Sequence, residues 1–203
     1  TVLIGKGITF DTGGISLKPG AEIRTRNTPD INELINLPVG EIAMLPVDLL
    51  AAMQREIDAA AGRHGRVWHF NCHSMKSRGN AMNTDSGRPR PDIVIGDRDG
   101  TSAEPAVTRW VTAYFTERGY RVQVNDPYRG ADIVRAHGDP ARGRSSVQIE
   151  INRAVYLDES TCELGLGFAR LRDDLSGFAQ AAAGAMAASS TKRAPLSGKC
   201  RVM

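Results

Sequence analysis

Cysteine is scarce in this 203-residue chain: Cys72, Cys162 and Cys200 are odd in number and far apart. That spacing argues against a disulfide framework and offers no Cys-x-x-Cys zinc knuckle, so Cys72 reads as a small buried hydrophobe. Aromatic residues make up only 5% of the chain, too few for the stacking platform of a single-strand binder. The formal charge of +3 comes from an arginine excess concentrated in two irregular stretches, Arg78 to Arg98 and Arg129 to Arg144, rather than along a helix face. No nucleic-acid partner is expected from that distribution; recognition of small anions fits it better. No apolar run reaches the ~18 to 20 residues of a membrane span, and the first residues lack a basic-then-apolar signal pattern. The expectation is a cytoplasmic protein without a membrane partner.

With 41% hydrophobic and 24% charged residues, the chain has the make-up of a soluble globular protein of one α/β domain, two at most. Thr1 to Phe10 is β-branched and apolar, then turns through Asp11-Thr12-Gly13-Gly14 into Ile15-Ser16-Leu17, a strand-turn-strand pattern. Residues 21–40 show no period and read as a loop or arm. A helix is predicted from Pro46, with Leu45, Leu49, Met53 and Ile57 on its apolar face and Gly62 to Gly65 at its end. Strands are predicted at Arg66 to Cys72, ending at His73, and at Asp92 to Gly96, Tyr120 to Val124 and Val147 to Asn152. Between the first two, Ser74 to Pro91 reads as a loop. Thr101-Ser102-Ala103-Glu104 has capping-box spacing ahead of a helix with Val107, Trp110, Val111, Tyr114 and Phe115 on one face, closed by Gly119. Asn125 to Ser146 reads as a long irregular wall without room for a full helix. Ser160-Thr161-Cys162-Glu163 is the predicted cap of a final helix whose Leu164, Phe168, Leu171, Leu175, Phe178 and Ala182 pack on the sheet. Strands alternating with helices predict an α/β fold, with a mainly parallel or mixed sheet flanked by helices.

Two stretches carry the chemistry. Asn71-Cys72-His73-Ser74 and Gln148-Ile149-Glu150-Ile151-Asn152-Arg153 each place a reactive side chain near a strand end, where open α/β sheets gather ligands. An imidazole that ligates zinc and a carboxylate that deprotonates water together suggest metal-assisted hydrolysis. The competing readings are a backbone-bonded strand histidine at His73 and a salt-bridge partner of Arg153 or a loop arginine at Glu150. A catalytic zinc takes three protein ligands, and His73 is the one good candidate. His69 lies on the same strand face as His73 and reads as a core histidine, while His137 reads as a solvent-facing loop histidine. Arg135, Arg142 and Arg144 are candidate forks for a substrate carboxylate, with Arg153 a fourth. Asp85, Asp97 and Asp99 fit turn roles. Cys72 faces away from His73, so a cysteine–histidine nucleophile is not expected.

Three blocks in order, Gly65-Arg66-Val67-Trp68-His69-Phe70-Asn71-Cys72-His73-Ser74-Met75, Arg90-Pro91-Asp92-Ile93-Val94-Ile95-Gly96-Asp97-Arg98-Asp99-Gly100-Thr101 and Gln148-Ile149-Glu150-Ile151-Asn152-Arg153-Ala154-Val155-Tyr156-Leu157-Asp158-Glu159, resemble the N-formylglutamate amidohydrolase family over about residues 24–183. The resemblance implies a zinc exopeptidase-like (phosphorylase/hydrolase-like) fold, a Zn2+ cofactor with His73 as ligand, and Glu150 activating water. It further implies a small acidic N-acyl amino acid as substrate, formate and glutamate as products of the type reaction, and a place in histidine catabolism. The family's first histidine motif and Asn-Arg pair, which supply the other zinc ligands and a carboxylate clamp, have no counterpart here: no histidine precedes His64. In their place, Gly5-Lys6-Gly7-Ile8-Thr9-Phe10-Asp11-Thr12-Gly13-Gly14-Ile15-Ser16-Leu17-Lys18-Pro19-Gly20 is similar to the metal signature of leucyl aminopeptidases, which implies metal roles for Lys6 and Asp11. The expected organisation is an aminopeptidase-like segment at 1–22, an amidohydrolase-like domain at 23–188 and a disordered tail at 189–203. The alternatives are a leucyl aminopeptidase-like dizinc peptidase and a catalytically silent fragment with an incomplete metal site; oligomeric state is left open.

Overall fold

The computed structural model describes residues 2–5, 46–81 and 83–191. The predicted hairpin turn at Asp11 to Gly14, the arm at 21–40 and the tail from 192 onward lie outside the described residues. In chain order the elements are β1 (Val2–Gly5), α1 (Pro46–His64), β2 (Val67–Met75), β3 (Ile93–Gly96), α2 (Pro105–Thr116), β4 (Val122–Val124), α3 (Asp132–His137), β5 (Arg144–Asn152) and α4 (Phe168–Thr191). They form one five-stranded sheet in the order β1-β2-β5-β3-β4. β1, β2 and β5 run parallel, β3 is antiparallel to β5, and β4 is parallel to β3. The sheet is therefore mixed, with its parallel half carrying the two chemical stretches.

Period-two alternation in β2 and β5 sends their side chains to two unlike faces. Trp68, Phe70, Val147, Ile149 and Ile151 face α2 and α4 and build the main core with Val107, Val111, Phe115, Leu171, Leu175 and Phe178. Phe178 is its hub, with ring centroids 4.9 Å from Phe70, 5.5 Å from Trp110, and 5.2 Å from both Tyr114 and Phe115. On the opposite face α1 buries Ile57 and Ala60 against Val67. This helix stops at Gly65, whose φ of +69° lets its N–H bond back to the Ala61 carbonyl at 2.7 Å. Among the described residues no helix is long and apolar enough to cross a membrane.

Several boundaries differ from expectation for identifiable reasons. β2 continues through His73 to Met75, and β5 begins three residues early at Arg144, because the two strands pair along their whole length. The Thr101 to Glu104 box does not cap α2: Thr101 Oγ1 donates to the Arg98 carbonyl at 2.7 Å and Ser102 Oγ to the Ser146 carbonyl at 2.8 Å. Pro105, which has no N–H to satisfy, opens the helix instead. Asn125 to Ser146 does hold a helix, the short α3, followed by a 3-10 turn at Pro140–Arg142. Ser160 to Glu163 closes a turn on the Asp158 carboxylate, and α4 begins only at Phe168, leaving Leu164 and Leu166 exposed. α4 then runs to Thr191, three residues past the expected domain limit.

The segment between β2 and β3 is pinned by a buried arginine, Arg90. Arg90 donates from Nε to Asp85 Oδ2 at 2.7 Å, from Nη2 to Asp85 Oδ1 at 3.1 Å and from Nη1 to the Lys76 carbonyl at 3.3 Å, and it stacks on Tyr128. Asp85 is thus a buried ion-pair partner as well as a turn residue, its carbonyl accepting from Arg88 N at 3.0 Å. Asp97 keeps the turn role, accepting from Gly100 N at 2.8 Å, and also latches Thr108 and Asn125.

Two stability predictions follow from this packing. Phe178→Ala should lower the unfolding free energy by about 3–5 kcal/mol in urea titration, the range for emptying an aromatic core site; a loss under about 1 kcal/mol would place the hub elsewhere. The Arg90 hydrogen bond and charge hold the Asp85 carboxyl below its ordinary value, against an opposing contribution from burial. Its stabilisation is then full above the unfolded carboxylate value of about 4 and drains away as the pH falls toward the folded value. Asp85→Ala should cost about 3 kcal/mol at pH 7 by leaving the Arg90 charge without its carboxylate. The gap between variant and parent should narrow below pH 4; a gap independent of pH contradicts the assignment.

Candidate active site

The second face of the β2–β5 pair is polar yet buried. In the parallel register His69 lies beside Ser146, Asn71 beside Gln148, His73 beside Glu150 and Met75 beside Asn152. Register partners in a parallel pair point to the same side of the sheet, so His69, Asn71, His73, Ser146, Gln148, Glu150 and Asn152 form two adjoining polar rows. Six of them, His69, Asn71, Ser146, Gln148, Glu150 and Asn152, are no more than 4% exposed, and His73 is half-buried. Buried polar rows of this kind carry a desolvation cost that core packing alone does not justify.

The orientation of Glu150 is fixed by a short relay. The backbone N–H of Ala131, just ahead of α3, donates to Gln148 Oε1 at 3.0 Å, which leaves the Gln148 amide NH2 facing the other way. That NH2 donates to Glu150 Oε1 at 2.6 Å. The approach of the Ala131 segment depends on Gly96, level with Gln148 at the end of β3. A Cβ at Gly96 would stand 2.6 Å from the Gly130 nitrogen, so only glycine admits the loop there. Val94, fully buried, lies level with Glu150 on the side away from His73. At the far end, Asn152 Nδ2 donates to the Arg90 and Pro91 carbonyls at 3.3 and 3.0 Å, tying the site to the pinned segment.

Cys72 points into the main core, as alternation predicts, and burial followed by the Glu150 charge pushes its thiol up to about 12. It is a neutral packing group at physiological pH, not a nucleophile.

The candidate arginines separate by strand direction. Arg153 follows β5 at the same end of the sheet as Glu150, with its Nε 3.2 Å from Ser74 Oγ. Arg144 opens β5 six residues before Glu150, roughly 20 Å away at the rise of a strand, and pairs with Asp58 at 2.7 Å. Arg142 pairs with Asp139 at that same remote end, and Arg135 pairs with Asp132 at 2.8 Å in solvent. Of the three that flank β5, Arg142, Arg144 and Arg153, Arg153 is the one at the Glu150 end. A sequence reading that ranks loop arginines without knowing which end of the strand they precede cannot make that distinction.

His137 is corrected too: it is 4% exposed, at the end of α3, and its ring meets that of His69 edge-on at 5.9 Å between centroids. Gln148, the residue that orients Glu150, was missed as a functional residue. Its signal was present in the alternation that put it on the same side as Glu150.

For a metal, His73 is a donor of suitable type, with the Glu150 carboxylate level with it on the neighbouring strand. A catalytic zinc takes three protein ligands, and among the described residues no three His, Cys, Asp or Glu side chains converge on one point. The described residues thus fit a zinc ion in part. Asp11 lies outside the described residues, but β1, the strand that leads toward it, runs parallel to β2 with Gly5 level with Cys72, toward the edge where His73 lies.

The family model for N-formylglutamate amidohydrolase matches residues 50–157, and that for the catalytic domain of the cytosol aminopeptidase family matches residues 1–28. The N-formylglutamate deformylase of Pseudomonas putida is 28% identical over 109 residues, covering 53% of this chain and 40% of the relative. The crystal structure of N-formylglutamate amidohydrolase from Ralstonia eutropha JMP134 superposes with a TM-score of 0.57 at 44% identity, over 62% of this chain and 45% of that one. A probable cytosol aminopeptidase of Azoarcus sp. is 91% identical, but over 22 residues, 11% of this chain and 4% of that protein. The chain spans less than half the length of each of these relatives. With a family model covering more than half of its residues, and with its polar strand pair inside the matched region, the chain belongs to the N-formylglutamate amidohydrolase family.

Proposed function

We propose that the chain hydrolyses the amide bond of a small acidic N-formyl or N-acyl amino acid, giving formate and glutamate when the substrate is N-formylglutamate. The observation that carries this reading is the register pairing of His73 with Glu150 on the buried polar face. In the proposed reaction the Glu150 carboxylate accepts a proton from water as its oxygen attacks the amide carbonyl. The same carboxyl then returns the proton to the departing nitrogen, so one water is consumed and the C–N bond is replaced by C–O. Gln148 holds the carboxylate in one orientation throughout. Arg153 is the proposed fork for the substrate carboxylate, because it follows β5 directly at this end and reaches Ser74.

Zinc dependence, and with it a zinc exopeptidase-like reading of the fold, is part of the proposal. His73 is the proposed ligand, and Asp11 a further one contributed from the aminopeptidase-like segment. When bound, the ion would act as a Lewis acid on the amide carbonyl.

Glu150→Gln should lower kcat on N-formylglutamate by about 10²–10⁴-fold, the contribution of a positioned general base, with an unchanged metal content per chain. Turnover near the parent rate would remove Glu150 from the mechanism. Arg153→Lys should raise KM by about tenfold with kcat nearly unchanged, the signature of lost uniform binding. Arg144→Lys should leave both constants alone. If Arg144→Lys raises KM while Arg153→Lys does not, the substrate lies at the opposite end of the sheet.

A further inference from the structure

We propose that His69 and His137 form a second transition-metal site, separate from the His73–Glu150 pair, that takes a borderline-soft divalent ion such as Zn2+. His69 precedes His73 by four residues on one strand face, about 13 Å at the rise of a strand, so the two imidazoles serve different points. His69 comes from β2 and His137 from the end of α3, and both are at least 96% buried. Among the described residues, neither ring has a hydrogen-bond partner at Nε2. The same holds for Oδ1 of Asn71, the next residue on that face of β2.

The opposite nitrogens are both hydrogen-bonded, and for His137 the partner determines what Nε2 offers. Gln54 Nε2 donates to Asp58 Oδ1 at 2.9 Å, so the Gln54 carbonyl oxygen faces His137, 3.0 Å from Nδ1. A carbonyl only accepts, so His137 carries its proton on Nδ1 and presents a bare lone pair at Nε2. His69 Nδ1 is held by Ser146 Oγ at 2.8 Å. Metal-bound histidines are oriented in this way, with the non-ligating nitrogen bonded to a carbonyl, carboxylate or hydroxyl. With a metal–nitrogen distance of about 2.0–2.1 Å, two rings on one ion have centroids about 5.2 Å apart at the tetrahedral angle and about 6.4 Å apart with the nitrogens opposed; the 5.9 Å separation here falls between the two, an opened angle at a shared ion.

Both rings are also in the ligating protonation state. Burial, then the neighbouring His137, pushes His69 down to about 4. Burial lowers His137, with Asp58 opposing and Arg144 adding to the shift. The positive charge of Arg144 is balanced by its 2.7 Å pair with Asp58. A cleft of about 510 Å³, lined by His137, Thr101, Asp139 and Arg144 among others, opens beside the pair and supplies a way in.

The test uses the full chain carrying His73→Ala, which removes the first candidate ligand, equilibrated with Zn2+ and analysed for metal per chain. One bound zinc is expected, with X-ray absorption showing two imidazoles in its first shell. Adding His137→Gln or His69→Gln should weaken binding at least tenfold. Gln54→Ala, which leaves both rings in place but releases the His137 tautomer, should weaken it by about tenfold as well. The proposal is overturned if the His73→Ala chain holds no zinc, which would leave a bridging water between the rings. It is equally overturned if the bound zinc shows one imidazole or none, or if all three added substitutions leave its affinity unchanged.

Discussion

The parallel pairing of β2 with β5 is the constraint on which the rest of the structure depends. Its nine-residue register sets an apolar row against α2 and α4 on one side and a row of buried amides, imidazoles and a carboxylate on the other. A slip by one residue would turn every one of those side chains to the wrong face, emptying the core and exposing the polar row together. Fold and site are therefore specified by the same alternation. The cost of burying the polar row is met by the main core, and the polar row is where the chain's chemistry is concentrated.

The supports around that pair are asymmetric. At the Glu150 end, the segment between β2 and β3 is locked by the Arg90–Asp85 ion pair and joined to Asn152, while the loop through Gly130 reaches Gln148 over Gly96. At the Arg144 end, α1 and α3 cover the sheet, bringing His137 onto His69 and Gln54 onto His137. The two ends thus carry different chemistry on one continuous face. The Glu150 end holds an oriented carboxylate beside a half-buried imidazole, and the Arg144 end holds two neutral, deeply buried imidazoles.

Much of this was legible in the chain itself. The alternation of Val147 to Asn152 placed Gln148, Glu150 and Asn152 together, and the even spacing of His69 and His73 placed them on one face. Pro46, Gly65 and Gly119 marked helix ends through backbone chemistry that does not depend on distant contacts. What was not legible depends on tertiary partners. The Thr101 and Ser102 hydroxyls bond to carbonyls of Arg98 and Ser146 rather than capping α2. His137 became a core residue only because α3 folds down onto the sheet. Arg90 and Asp85, five residues apart in a segment that reads as loop, form a buried pair that no periodicity announces. Which end of β5 Arg142 and Arg144 would occupy was not legible either, because it depends on the direction of the strand they precede.

The central claim is that His73 and Glu150 act on the same substrate as one unit. A double-mutant cycle on kcat/KM for N-formylglutamate, with His73→Ala, Glu150→Gln and the two combined, tests it most directly. Residues that work as a unit give non-additive losses, so the double variant should be no slower than the slower single variant within a factor of about three. Losses that multiply, or a parent chain that does not turn over the substrate, would contradict the account.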